Sequence, residues 1–70
     1  MDLGFKVGDK VMTRRAILAG LRENGPKVCE KGETGYVVRL DERERDGVHV
    51  RFSSGVDWWC MPKQIELDDR

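Results

Sequence analysis

Apolar and polar positions alternate with a period of two in several short runs, the pattern of half-buried strands. Val48-His49-Val50-Arg51-Phe52 is the strictest case. Val48, Val50 and Phe52 share the face that packs inward, while His49 and Arg51 point out. Lys10 to Arg14 puts Val11 and Thr13 on one side and Lys10 and Met12 on the other, after a tight turn at Gly8-Asp9. Tyr36 to Leu40 is rich in β-branched and aromatic residues and predicts another strand. In Val56 to Cys60 the alternation assigns Val56, Trp58 and Cys60 to the core face and Asp57 and Trp59 to the outer one. Ile65-Glu66-Leu67 predicts a last short strand. Turns are expected at Lys31 to Gly35, at the charged tip Asp41 to Gly47, and at Ser53-Ser54-Gly55. Pro62 has no N–H to give a sheet, so Met61 to Gln64 predicts one 3₁₀ turn.

Arg14 to Glu33 breaks this rhythm. Ile17, Leu18 and Leu21 fall at helical spacing among good helix formers, although Gly20 weakens the run and Asn24-Gly25-Pro26 ends it. The expectation is a long first loop with one or two helical turns. Loops of this length in small domains are usually functional or mobile. Five short strands, tight turns and one long loop predict an all-β fold, a small five-stranded barrel, closed or partly open. Closure removes exposed sheet edges, which suits a chain too short to cover them otherwise.

With 70 residues the chain is expected to be one domain, with 68–70 as a frayed tail. Hydrophobic residues make up 39% of it and there is no low-complexity tract, which argues against disorder. A domain near this size buries only about 60% of its unfolded surface, so most large apolar side chains are needed inside. Adjacent Trp58 and Trp59 cannot both point in from one regular strand, and Trp59 is the candidate for exposure. No apolar run approaches the roughly 20 residues of a membrane span. The opening residues lack a basic and an apolar region, so no signal peptide and no membrane partner are expected. Cys29 and Cys60 form no C-x-x-C. One disulfide between them is geometrically open, but the expected state is reduced thiols in a cytoplasm. Together with His49, the single histidine, they fall short of the four ligands of a closed zinc site, so neither metal nor cofactor is expected.

Charge and chemistry narrow the function. Thirteen Lys and Arg balance thirteen Asp and Glu. Residues 1–35 carry 7 basic and 5 acidic side chains (+2), and residues 36–70 carry 6 and 8 (−2). With a sequence pI near 6.6, this weak asymmetry argues against non-specific phosphate binding. His49, Ser53, Ser54 and Asp57 contain the residue types of a hydrolytic triad, but neither their spacing nor a nucleophile elbow supports one. The expectation is a non-catalytic binding or accessory module. Its surface would join the long loop (Arg14, Arg15, Leu18, Leu21) to Arg51, Trp59, Met61 and Pro62 and contact a protein, with the tryptophan as an apolar anchor ringed by arginines. The alternative is an RNA- or DNA-binding surface with Arg14, Arg15, Lys31 and Arg51 on phosphates and Trp59 stacking on bases. The apolar loop residues equally suit a second copy of the chain, so the expected state is a monomer or small homo-oligomer.

The order of these cues resembles an SH3-like small barrel. Val7-Gly8-Asp9-Lys10-Val11 is similar to the V-G-D-x-V opening strand, and Gly32 to Val38 to the G-x-x-G-x-V second strand of KOW-type ribosomal and transcription-factor barrels. Val48 to Phe52 resembles the V-x-V-x-F third strand, and Trp58 to Leu67 the closing strand with its 3₁₀ turn. The small barrel protein of photosystem I and the variable chain of ferredoxin–thioredoxin reductase share this architecture, which implies as a further alternative an accessory subunit of a redox complex. Plasmid-borne type II dihydrofolate reductases are similar barrels, but their Val-Gln-Ile-Tyr active-site strand is not found here, so that activity is not carried over. The resemblance implies a fold more than a function.

Overall fold

A computed structural model describes residues 4–19 and 25–68. Its strands are β1 (Lys10–Thr13), β2 (Ile17–Leu18), β3 (Lys27–Cys29), β4 (Thr34–Leu40), β5 (Val48–Phe52), β6 (Asp57–Cys60) and β7 (Ile65–Leu67), with a 3₁₀ turn at Pro62–Gln64. Five form one antiparallel sheet in the order β6-β5-β4-β1-β7, and β2 pairs with β3 in a separate ribbon. All five strands expected from alternation are members of the large sheet. Among the described residues the sheet does not close into a barrel, because β6 and β7 are its two edges. The chain turns the corner between them at Pro62, which cannot donate to a ladder, and Ile65 N–H bonds back to the Pro62 carbonyl.

The helical expectation for the long loop is corrected. Ile17 pairs with Cys29 and Leu18 with Lys27, and the ribbon closes through Ala19 N–H to the Pro26 carbonyl (2.9 Å) and Gly25 N–H to the Ala19 carbonyl (2.8 Å). A helix this short is marginal in water. The strand pair satisfies the main chain and also buries Ile17 and Cys29 in the core. Gly20, Leu21 and Arg22 of the expected helix lie outside the described residues. The tail is corrected at its first residue: Asp68 N–H donates to the Lys10 carbonyl (2.9 Å), and its carboxylate, 5% exposed, lies 3.7 Å from Lys10 Nζ. Residues 69–70 lie outside the described residues.

Val11, Ile17, Cys29, Val37, Val48, Val50, Phe52, Cys60 and Ile65 are the buried hydrophobic core, with Phe5, Val28, Leu40 and Trp58 packed against it. Both cysteines are buried free thiols. Two buried polar side chains organise the turns. Thr13 Oγ1 donates to the Glu30 carbonyl (2.7 Å) and accepts from Glu33 N–H (3.0 Å), fixing the turn that leads into β4. Gln64 Oε1 accepts from Met61 N–H (2.8 Å), and the Gln64 carbonyl accepts from Arg14 N–H (2.8 Å), tying the 3₁₀ turn to the end of β1. Among the described residues, no helix is long and apolar enough to cross a membrane.

Candidate functional site

The β5–β6 hairpin sets the site. Phe52 N–H donates to the Val56 carbonyl (2.8 Å) beside the Ser53–Gly55 turn, so the hydrogen-bonded pairs are Phe52–Val56, Val50–Trp58 and Val48–Cys60. The pairs between them, Arg51–Asp57 and His49–Trp59, are the non-hydrogen-bonded kind, in which facing side chains approach most closely. Both pairs lie on the outer face, and both are used. Arg51 Nε donates to Asp57 Oδ1 (3.0 Å) and Nη2 to Oδ2 (3.3 Å), a two-pronged contact. The His49 and Trp59 rings stack with centroids 4.8 Å apart at 21°. Tyr36, which is exposed, pairs with Arg51 across β4, and Arg39 pairs with His49. The outer face thus carries two rows, Tyr36–Arg51–Asp57 and Arg39–His49–Trp59.

Trp59 is 38% exposed on this face, whereas Trp58 packs toward the core. An open cleft of about 390 Å³ lies against them, lined by Asp46, His49, Asp57, Trp58 and Trp59. His49 Nδ1 is buried and has no hydrogen-bond partner among the described residues. The Arg51 guanidinium, by hydrogen bond and then by charge, holds the Asp57 carboxyl below its ordinary range, and His49 adds to this. Asp57 in turn raises the Arg51 pKa.

The other residues expected at the site lie outside the hairpin. Arg14 and Arg15 are exposed beyond β1. The Arg14–Gln64 bond sets Arg14 against the 3₁₀ turn that contains Pro62 and follows Met61. Lys31 is exposed on the turn clamped by Thr13, which directly precedes Arg14 in the chain. Leu18 is half-buried in the β2–β3 ribbon, and Leu21 lies outside the described residues. Arg51, expected on a phosphate or at a protein interface, is paired with Asp57 in an exposed ion pair. His49 faces outward as the alternation requires and stacks on Trp59. Among the described residues no triad is assembled, since the unbonded Nδ1 leaves His49 without an orienting carboxylate. Sequence reading did not assign Asp46, His49, Asp57 and Trp58 to a binding site. The available signal was the hairpin itself: folding the chain at Ser53–Gly55 sets Arg51 opposite Asp57 and His49 opposite Trp59. Among the described residues, no group of three or more His, Cys, Asp or Glu is placed to hold a metal ion.

Comparison with known proteins finds no matching family model and no matching curated protein.

Proposed function

We propose that the chain is a non-catalytic, SH3-like binding module that engages a partner protein through the outer face of the β5–β6 hairpin, with Trp59 as its anchor. The strand order β6-β5-β4-β1-β7 and the 3₁₀ turn before the last strand support the SH3-like reading, with the corner between the edges left open. The observation that carries the function is Trp59. A large aromatic side chain is left 38% exposed and held in one orientation by His49, beside a cleft, in a domain that has few large apolar side chains to spare. Pre-ordered tryptophans in such settings dominate binding energy at protein interfaces. The nucleic-acid reading gains less from this face: Arg51 is paired with Asp57, which leaves Arg39 as the exposed cation beside His49, and two carboxylates line the cleft.

The test is Trp59→Ala. The variant keeps a well-dispersed ¹⁵N–¹H spectrum, because the side chain is not part of the buried core. Immobilised beside the wild type, it fails to retain the protein that the wild type captures from lysate. Collapse of the variant's spectrum, or retention of the same protein by both, contradicts the proposal.

A further inference from the structure

The non-hydrogen-bonded pairing of Asp57 and Trp59 with β5 has a second effect. The main-chain N–H and C=O groups of these two residues point away from β5, toward the open edge of the sheet. They have no partner among the described residues. Such an edge is a template for another extended chain. The cleft opens beside it, and its lining favours one kind of guest side chain. The Asp57 carboxylate gives two of its acceptor positions to Arg51 and keeps others. The Asp46 carboxylate is approached by Arg45 Nε only at 3.8 Å, too long for a hydrogen bond, between two exposed side chains. Tryptophan rings complete the wall. The spare acceptor positions of two carboxylates and the indole faces together match a cation that carries several N–H donors.

We propose that the free edge of β6 accepts an extended segment of the partner as an added strand, and that an arginine or lysine side chain of that segment enters the cleft of Asp46, His49, Asp57, Trp58 and Trp59. This rests on the protein-binding reading and names what the partner presents. Pairing of β6 with the β6 of a second copy does not fit, because β6 (Asp57–Cys60) contains no basic residue to fill the cleft. The guest is a basic, strand-forming peptide.

The test uses blocked peptides about seven residues long, the length of an ordinary strand. They alternate threonine and valine around a central arginine, and a second peptide has glutamine at that place. A third keeps the arginine but is N-methylated on the flanking amides. Affinities come from tryptophan fluorescence, and the bound surface from ¹⁵N–¹H shifts. The arginine peptide binds about tenfold tighter than the glutamine peptide, and N-methylation costs about as much. Its shifts centre on the Asp57 and Trp59 amides and the Trp59 indole. Asp46→Asn, a change at an exposed residue, removes most of the preference for arginine. Equal affinity for arginine and glutamine, no binding by either, shifts away from β6, or a sedimentation result showing a dimer paired through β6 overturns the proposal. If these fail while Trp59→Ala still abolishes capture of the natural partner, strand-and-cation recognition falls and the protein-binding reading stands. If Trp59→Ala captures normally, the protein-binding reading itself falls.

Discussion

Thr13 is a polar side chain placed where alternation asks for an apolar one, and the reason is a turn. The residue is 1% exposed, and its hydroxyl serves both the Glu30 carbonyl and the Glu33 N–H. Thr13→Val keeps the shape and removes both bonds. It should lower stability by about 1–2 kcal/mol, because a part-buried carbonyl and N–H each lose a partner. A urea midpoint equal to that of the wild type would show that the clamp contributes nothing. The cysteines give a second check at this scale. Burial pushes both thiols from 9.0 up to about 12, with Glu33 and Cys60 adding to the rise at Cys29 and Asp46 adding to it at Cys60. Folded values above the unfolded one mean that this contribution to stability is complete below about pH 9 and is lost as pH rises toward 12. At pH 8 both thiols should react with iodoacetamide at least about a hundredfold more slowly in the folded protein than in urea. Rapid labelling of the native chain contradicts that burial. Individual residues were legible where one rule decided them. Val11, Val48, Val50 and Phe52 follow from period two alone. The outward direction of Arg51 and His49 follows from the same rule, but their contacts do not, because their partners are on another strand. Whether a surface cation is free depends on what faces it across the hairpin.

At the scale of elements, the strands were legible and the long loop was not. Val48–Phe52 declares itself through strict alternation. Ile17 and Leu18 are adjacent apolar residues in a short run, which fits a helix or a strand equally until a pairing partner is known. Their partner, Lys27–Cys29, lies beyond a Gly-Pro break and has no alternation of its own long enough to announce a strand. The 3₁₀ turn was legible because Pro62 settles it locally, and Gln64 then locks it through Met61 N–H. The β4–β5 contact makes a sharp prediction. A Cβ on Gly35 would sit 2.6 Å from the Arg51 carbonyl oxygen and 2.8 Å from the Phe52 Cα, so the two strands pack with no room for a methyl group. Gly35→Ala should therefore cost about 1–3 kcal/mol by forcing main chain apart, read as a drop in thermal midpoint. An unchanged midpoint would mean that β4 and β5 are less tightly apposed than described. The same Gly35 ends the Gly32-Glu33-Thr34-Gly35 motif, so that part of the sequence pattern has a steric cause.

At the scale of the whole molecule, the chain has zero net charge and a five-stranded open sheet, and the proposed site is one face of it. That face carries Tyr36, Arg39, Arg51, Asp57, His49 and Trp59, and its Arg51 and Asp57 are paired with each other. The exposed cations Arg14, Arg15 and Lys31 lie near the 3₁₀ turn and the turn clamped by Thr13. The sequence pointed to Trp59 as an exposed side chain, and it placed these cations and Trp59 on one surface, a grouping that order along the chain does not decide. The account depends on the Trp59 face recognising protein and not a phosphate backbone. The most direct measurement is a ¹⁵N–¹H titration of the labelled protein at low salt with a short single-stranded RNA of mixed sequence. The account predicts no movement of the Trp59 indole or of the Asp57 and His49 amides, since two carboxylates face the cleft and Arg51 is occupied. Shifts on Arg14, Arg15, Lys31, Arg51 and the Trp59 indole that salt reverses would contradict it and make the chain a nucleic-acid-binding protein.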